Sequence, residues 1–282
     1  MTVRVAYQGV EGSYSSIAAA EYFPRGEYVG YPTFGSVIRA VQDDKATHAL
    51  LPIENSTAGR VADLHHLLPN SGLVIIGEHF LPIQHALIGL AEATLGDIEQ
   101  VYSHREALAQ CSRTLRKLNI VPVPFGDTAK AVSHVSEIKD KSVAALASKY
   151  TVKLYENVRV LKGDMQDRAD NVTRFLVLTK SSEEQCEASD DCIISIVFDV
   201  LDTPAALYNS LGAFAKHSIN IIKLESFVPM QRHRDAHFYL ECIGNPEKSP
   251  LQRALSELVS TTKRMNVLGV YNKSEYRDNF ER

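Results

Sequence analysis

Up to Thr179 the chain alternates short apolar runs with amphipathic stretches, and this alternation restricts the fold more than any other feature of the sequence. VRVAY (residues 3–7) precedes a helical pattern that begins near Ser13. HALLPI (48–53) precedes one expected over Thr57–Leu68, IEQVYS (98–103) one over Glu106–Lys117, and IVPVPF (120–125) one that starts at Thr128. Strand then helix, repeated, is the mark of an α/β layered fold on a largely parallel sheet. Two longer apolar stretches, Leu73–Leu90 and Thr173–Thr179, have the length to carry the chain out to a second lobe, roughly residues 80–165, and back. A cleft between two such lobes is a usual place for a ligand.

The pattern changes after the polar, acidic stretch 181–191, which reads as a linker. Beyond it come CIISIVFDV, a helix over Ala205–Lys216, SINIIKLESFV, AHFYLECI, a helix over Pro250–Ser260, and KRMNVLGVY. That order is β-α-β-β-α-β, the ferredoxin-like arrangement of a small ligand-binding or regulatory module. The expected organisation is a first unit at 1–182, a linker at 183–191, a second unit at 192–271, and a loose charged tail at 272–282.

Composition excludes several classes of function. With 282 residues, 45% hydrophobic and 23% charged, the chain can bury a substantial core. A net charge of -4 and the lack of a basic run interleaved with aromatics argue against nucleic acid as a partner. No apolar stretch reaches the length of a membrane span or a signal peptide, so a cytoplasmic protein is expected. Cys111, Cys186, Cys192 and Cys242 are scattered with no C-x-x-C pair, which suggests reduced thiols rather than a disulfide framework or a zinc knuckle. His65 and His66 are adjacent, a helix would point them apart, and no further ligands lie at metal spacing; neither a metal nor a cofactor is expected.

Four polar segments lie at the ends of strands in the first unit. Gly9-Val10-Glu11-Gly12-Ser13-Tyr14-Ser15 offers a glycine turn and a helix start suited to an anion, but it has neither the G-K-S/T of a phosphate loop nor the third glycine of a dinucleotide fingerprint. Read alone, Ser13 and Ser15 are equally well plain caps. In Pro52-Ile53-Glu54-Asn55-Ser56-Thr57, three residues compete for one capping position, which leaves Asn55 as a candidate for ligand contact. Tyr102-Ser103-His104-Arg105 begins a helix that ends near Gln110-Cys111; a His104–Cys111 nucleophile pair is one reading, and a capping histidine with a buried cysteine is the commoner one. Asp170-Asn171-Val172-Thr173-Arg174-Phe175 puts a hydroxyl and a guanidinium at the mouth of a core strand, where Asp170 and Asn171 could equally end a turn and Arg174 pair with a carboxylate.

In this order the segments resemble the prephenate dehydratase family across nearly the whole chain. The family motifs are G-P-x-G-T-F/Y-S, P-I/V-E-N-S, Y-S-H-P-x-x-x-x-Q-C and D-N-x-T-R-F, followed by a C-terminal ACT domain. DNVTRF and PIENS match in full, whereas Val10, Ser13 and Arg105 depart from the pattern. The resemblance implies a two-lobed fold similar to periplasmic binding proteins and a decarboxylating dehydration of prephenate to phenylpyruvate, water and carbon dioxide. Because the sequence begins at its first strand, a form without a fused N-terminal chorismate mutase domain is expected.

The same resemblance implies roles for particular residues. Thr173 stands beside the leaving hydroxyl, Asn55, Ser103 and Gln110 complete a polar cage, and Arg174 clamps a carboxylate. Ser13, Tyr14 and Ser15 take a second carboxylate, Ser56 and Thr57 border the substrate, and Phe175 anchors the strand. Family ACT domains bind phenylalanine between subunits through G-A-L and E-S-R-P segments. The positions here are Ala205-Ala206-Leu207 and Glu225-Ser226-Phe227-Val228-Pro229, with Asn220 nearby. The expected partners are therefore prephenate, L-phenylalanine as effector, and further copies of the chain in a homodimer or homotetramer. Arogenate dehydratase, acting on the aminated substrate, and a non-catalytic small-anion sensor are the alternatives.

Overall fold

The computed structural model describes residues 2–180, 186–227 and 236–280. Part of the expected linker, and Val228 and Pro229 of the second effector segment, lie outside them. The elements in chain order are β1 (Arg4–Gln8), α1 (Tyr14–Tyr22), β2 (Glu27–Tyr31), α2 (Phe34–Gln42), β3 (His48–Asn55), β4 (Gly59–Arg60), α3 (Ala62–Leu67), β5 (Val74–Pro82) and β6 (Ala86–Leu90). Next come β7 (Gln100–Ser103), α4 (Arg105–Gln110), α5 (Ser112–Lys117), β8 (Val121–Pro124), α6 (Thr128–Ile138), β9 (Val143–Ala147), β10 (Val158–Lys162) and β11 (Val172–Thr179). The last are β12 (Cys192–Val200), α7 (Ala206–Lys216), β13 (Asn220–Phe227), β14 (His237–Ile243), α8 (Ser249–Thr261), β15 (Thr262–Asn272) and α9 (Glu275–Phe280).

Two compact units share this chain. One holds Met1–Val37, Leu50–Arg60 and Phe80–Phe175, the other Ile38–Ala49, Val61–His79 and Leu176–Arg282. In the first, β1 pairs in parallel with β2, as a strand–helix–strand crossover requires, and the neighbours run β11-β3-β1-β2. A second sheet has the order β10-β6-β9-β7-β8. Its strands β6 (ALIGL) and β9 (VAALA) are buried at every position, which explains why they read as unbroken apolar runs without alternation. Ala131, Val132 and Val135 of α6 pack into the same core as Leu87, Leu108 and Leu146.

The second unit builds the expected βαββαβ. Its strands lie in the order β13-β14-β12-β15 with antiparallel pairing, and α7 and α8 bury Phe214, Leu251 and Leu258 against Ile196, Phe198 and Leu240. At Gly269 the backbone of β15 meets β5; a Cβ there would lie 2.1 Å from the Ile75 carbonyl oxygen, so only glycine allows the approach.

Three expectations are corrected. The helix expected from Thr57 begins at Ala62, because Asn55 closes a turn and Gly59–Arg60 pairs back on β3 before the helix starts. The helix expected over Glu106–Lys117 is two short helices broken at Cys111, whose φ of -112° and ψ of 9° leave the helical region. As far as Phe280 the tail is not loose: α9 carries Arg277, whose guanidinium grips Glu78 at 2.7 and 2.9 Å and comes within 3.6 Å of Glu241.

Candidate active site

The end of β3 and the start of β11 are stitched together by backbone and hydroxyl groups. Ser56 donates its N–H to the Val172 carbonyl at 2.9 Å, and its hydroxyl accepts from the Val172 N–H and donates to the Asp170 carbonyl, each at 2.9 Å. This pairing brings Asn55 beside Thr173. Asn55 Nδ2 donates to Thr173 Oγ1 at 2.9 Å and to Asn171 Oδ1 at 2.7 Å, while Asn55 Oδ1 accepts from the N–H groups of Thr57 and Ala58 at 3.0 and 2.9 Å. The Thr173 oxygen is thus an acceptor from Asn55, and its hydrogen is committed to no acceptor among the described residues.

Gln110, at the end of α4, joins this network from the other sheet. Its Nε2 donates to Thr57 Oγ1 at 3.1 Å, and its Oε1 accepts from Asn171 Nδ2 at 2.9 Å and lies 2.9 Å from His85 Nε2. His85 Nδ1 is 2.8 Å from the Tyr14 hydroxyl, which also donates to the Gln84 carbonyl at 2.7 Å. Burial lowers the His85 pKa, partly offset by its bond to Gln110, and burial, with Cys111 adding, pushes the Tyr14 hydroxyl well above its ordinary value. Both side chains are therefore neutral at physiological pH.

Thr57, Gln110 and Asn171 also line a cavity of about 460 Å³, together with Arg113, Asp167 and Arg168. Asp167 accepts the backbone N–H groups of Arg113 at 2.8 Å and Thr114 at 2.9 Å. Burial raises the Asp167 pKa, but those bonds and the Ser112 and Thr114 hydroxyls outweigh it and hold the carboxyl below its ordinary range. Arg168 pairs with Asp170. The Arg113 guanidinium is exposed and has no ion-pair partner among the described residues.

Other residues singled out from the sequence lie elsewhere. Arg174 is 2% exposed, and its guanidinium sits 3.0 Å from Glu54 and 5.9 Å from the centre of the Phe80 ring. Ser103 is fully buried and donates to the Leu146 carbonyl at 2.6 Å, tying β7 to β9 rather than joining the network. Ser13 caps α1, accepting from the Ser16 N–H at 3.4 Å, and the Ser16 hydroxyl takes the Gly12 N–H, so both serine hydroxyls are engaged within the turn that opens the helix. Ser15 is buried, as is Phe175. Gly12, at φ +84°, closes the preceding turn in the left-handed region, where Thr151 donates to its carbonyl.

His104 caps α4 through Nδ1. Cys111 is fully buried, and burial, with Asp167 adding, pushes its thiol to about 12, so it is no thiolate. Among the described residues no group of His, Cys, Asp or Glu has metal-holding geometry.

In the second unit, Ala205 caps α7 with φ +62°, a conformation that favours the glycine of the G-A-L motif. Ala206 is buried, Leu207 packs on the core, and Asn220 opens β13 exposed. Glu225 is 3.7 Å from Lys223, and Ser226 pairs in register with Phe238. Phe227 is buried among the rings of His65, His66 and His237, with centroids at 6.1, 5.5 and 5.5 Å, which accounts for an apolar residue at the motif's arginine position.

Glu54, His85, Arg113 and Asn171 join or border this arrangement without having been expected to from the sequence. Glu54 and Asn171 were visible inside PIENS and DNVTRF, and His85 interrupts a run of apolar residues at the entry to a buried strand.

The network pairs two motif segments around the Thr173 hydroxyl, and comparison with known proteins agrees: the prephenate dehydratase family model matches residues 5–183. The chain belongs to the prephenate dehydratase family. As such it is a hydro-lyase of the prephenate and arogenate dehydratase group in phenylalanine biosynthesis. It is 35% identical to a bifunctional N-acyl-homoserine lactone acylase/prephenate dehydratase of Komagataeibacter europaeus, over 97% of both chains. It is equally 35% identical to an arogenate dehydratase/prephenate dehydratase of Arabidopsis thaliana, over 95% of this chain and 72% of the relative. A solved structure described as a novel type of quorum quenching acylase superposes with a TM-score of 0.91 at 35% identity, covering 97% of this chain and 99% of that one. A prephenate dehydratase from Arthrobacter aurescens in complex with L-Phe superposes with a TM-score of 0.88 at 25% identity, covering 96% and 90%. Among the described residues no helix is long and apolar enough to cross a membrane.

Proposed function

We propose that this chain converts prephenate to phenylpyruvate, water and carbon dioxide. The observation that carries the reading is the Thr173 hydroxyl, which accepts from Asn55 and so has its hydrogen left to donate. Prephenate is a non-aromatic ring with a carboxylate on a quaternary carbon and a hydroxyl at the opposite carbon. When the ring-to-carboxylate bond breaks, its electron pair flows through the ring and expels the hydroxyl, which takes up a proton and leaves as water. Aromaticity supplies much of the driving force. The protein must hold a dianion, orient it, and hydrogen-bond the departing oxygen. Thr173 makes that bond, Asn55 aims it, and Thr57, Gln110 and Asn171 build the polar wall of a cavity whose 460 Å³ or so suits a small ring diacid. Solvent is the ultimate proton source, since a threonine hydroxyl is a very weak acid.

Arg113 is the cation we assign to a substrate carboxylate, because Arg174 is occupied by Glu54. Arg174, Ser13, Ser15 and Phe175 then hold the frame. Cys111, with its thiol pushed to about 12, offers no thiolate nucleophile for the acylase activity in one relative's name. Residues 1–182 form the catalytic part on this reading. The βαββαβ of 192–271 is an ACT regulatory domain that pairs with a second copy and binds L-phenylalanine, in keeping with the L-Phe complex of the Arthrobacter aurescens protein.

Initial rates on prephenate and on arogenate, measured side by side, test the catalytic reading. Turnover of prephenate supports it, exclusive turnover of arogenate moves the chain to the aminated substrate, and binding without turnover of either makes it a sensor. Phenylalanine titrated into the same assay and into a thermal melt tests the regulatory reading; no change in rate or Tm at millimolar effector contradicts it.

A further inference from the structure

The orientation of every amide in the network is set from one end. Asn55 Oδ1 accepts two backbone N–H groups, at Thr57 and Ala58, and a backbone donor cannot reverse. Its Nδ2 must therefore face Asn171, whose Oδ1 accepts at 2.7 Å. That leaves Asn171 Nδ2 to donate to Gln110 Oε1 at 2.9 Å, and Gln110 Nε2 to donate to Thr57. Gln110 Oε1 is thereby an acceptor, and it meets His85 Nε2 at 2.9 Å. Two lone pairs at that distance would repel, so Nε2 carries the hydrogen. In the neutral ring Nδ1 is then an acceptor, and the single Tyr14 hydroxyl hydrogen is shared between it and the Gln84 carbonyl, 2.8 and 2.7 Å away.

We propose that His85 is a positioning residue of the dehydration: its Nε2–H anchors the far, Gln110 end of the amide network, so that a network fixed at both ends holds the Thr173 hydroxyl as an acceptor toward Asn55 and a donor toward substrate. The inference rests on the role given to Thr173 above. His85 is 2% exposed and does not line the cavity, so it acts through Gln110 rather than on the substrate. Its main chain is fixed as well, with its N–H on Gln166 Oε1 at 2.9 Å and its carbonyl accepting from Met165. Without the Nε2–H, Gln110 loses the donor that distinguishes its two orientations from that side. A reversed Gln110 puts Nε2 against Asn171 Nδ2, donor against donor, and the strain passes along to Thr173.

Two substitutions separate this from a packing role. A glutamine amide nitrogen reaches about where the ring Nε2 lies, and an asparagine nitrogen reaches only the Nδ1 position. His85→Asn should lower kcat on prephenate at least roughly 10-fold with little change in KM, given that misplacing a catalytic group by about 1 Å costs on the order of 100-fold. His85→Gln should recover most of that loss. Nitrogen NMR of the wild-type ring should show a protonated Nε2 and a bare Nδ1, a readout independent of whether either variant folds. Equal loss in both variants, wild-type kcat in His85→Asn, or the Nδ1–H tautomer would each overturn the proposal. A wild type that turns over neither prephenate nor arogenate would overturn the dehydratase reading itself.

Discussion

Arg174 Nη1 lies 3.0 Å from Glu54 Oε1, with the arginine side chain 2% exposed and the glutamate 32%. The arginine of DNVTRF thus neutralises the glutamate of PIENS inside the protein, and the two motifs are bound by charge as well as by the Asn55–Thr173 hydrogen bond. The sequence alone suggests a substrate clamp, whose loss would raise KM. With this geometry, Glu54→Gln should remove a carboxylate partner of a buried cation and destabilise the fold by about 2 kcal/mol, below the range for a fully buried pair because Glu54 is partly solvated. Arg174→Lys should lower the melting temperature and kcat more than it raises KM. Denaturant unfolding and steady-state kinetics on the two variants check both statements.

Arg113 is predicted to serve binding rather than chemistry. Arg113→Gln removes an exposed guanidinium at the cavity wall and should raise KM roughly 10-fold while kcat stays near wild type, the pattern of an interaction made equally in ground and transition states. Unchanged KM would return the carboxylate to another cation.

Arg277 shows how much of the C-terminal end is structural. Its guanidinium holds Glu78, whose side chain is fully buried, and approaches the equally buried Glu241, which takes the Tyr239 hydroxyl at 2.5 Å. Arg277→Ala removes a cation that these buried carboxylates share and should cost about 3 kcal/mol, or roughly 6 °C or more in Tm. A melt unchanged by the substitution would contradict that assignment.

His85 makes stability depend on pH with a definite sign. Its folded pKa is lowered by burial, whereas in the unfolded chain it takes a proton near its ordinary value of about 6.5. Below that value the unfolded state binds more protons, so stability is full above it and falls as the pH drops toward the folded pKa. Tyr14, which packs on His85, and Cys111 stay neutral throughout this window, and Asp167 stays ionised. Denaturation midpoints at pH 7.5 and 5.5 should therefore differ more for wild type than for His85→Gln.

Much of this was legible before any coordinates. Buried strands such as ALIGL and VAALA declare themselves because burial on both faces removes every polar position, and the βαββαβ order follows from the change of period after the linker. Thr173, Asn55 and Gln110 were legible as motif residues, and the network joins them. What escaped depends on partners far away in sequence. Arg174 reads the same whether it faces solvent, substrate or Glu54, and Ser103 looks like a site residue until the Leu146 carbonyl is seen to hold it. The helix break at Cys111 and the folding of the tail are tertiary overrides of acceptable helix and coil patterns. Arg113 stands in no motif, so only its place on the cavity wall marks it.

The most direct test of the whole account is the rate of phenylpyruvate formation from prephenate by wild type and by Thr173→Val. The valine fills the same volume and keeps the strand but has no hydroxyl to accept from Asn55 or to donate to the leaving group. The account predicts a kcat lower by at least roughly 100-fold, with an unchanged melting temperature within a degree or two, as expected for a general-acid or hydrogen-bond donor role. A folded Thr173→Val protein that turns prephenate over at near the wild-type rate would contradict it.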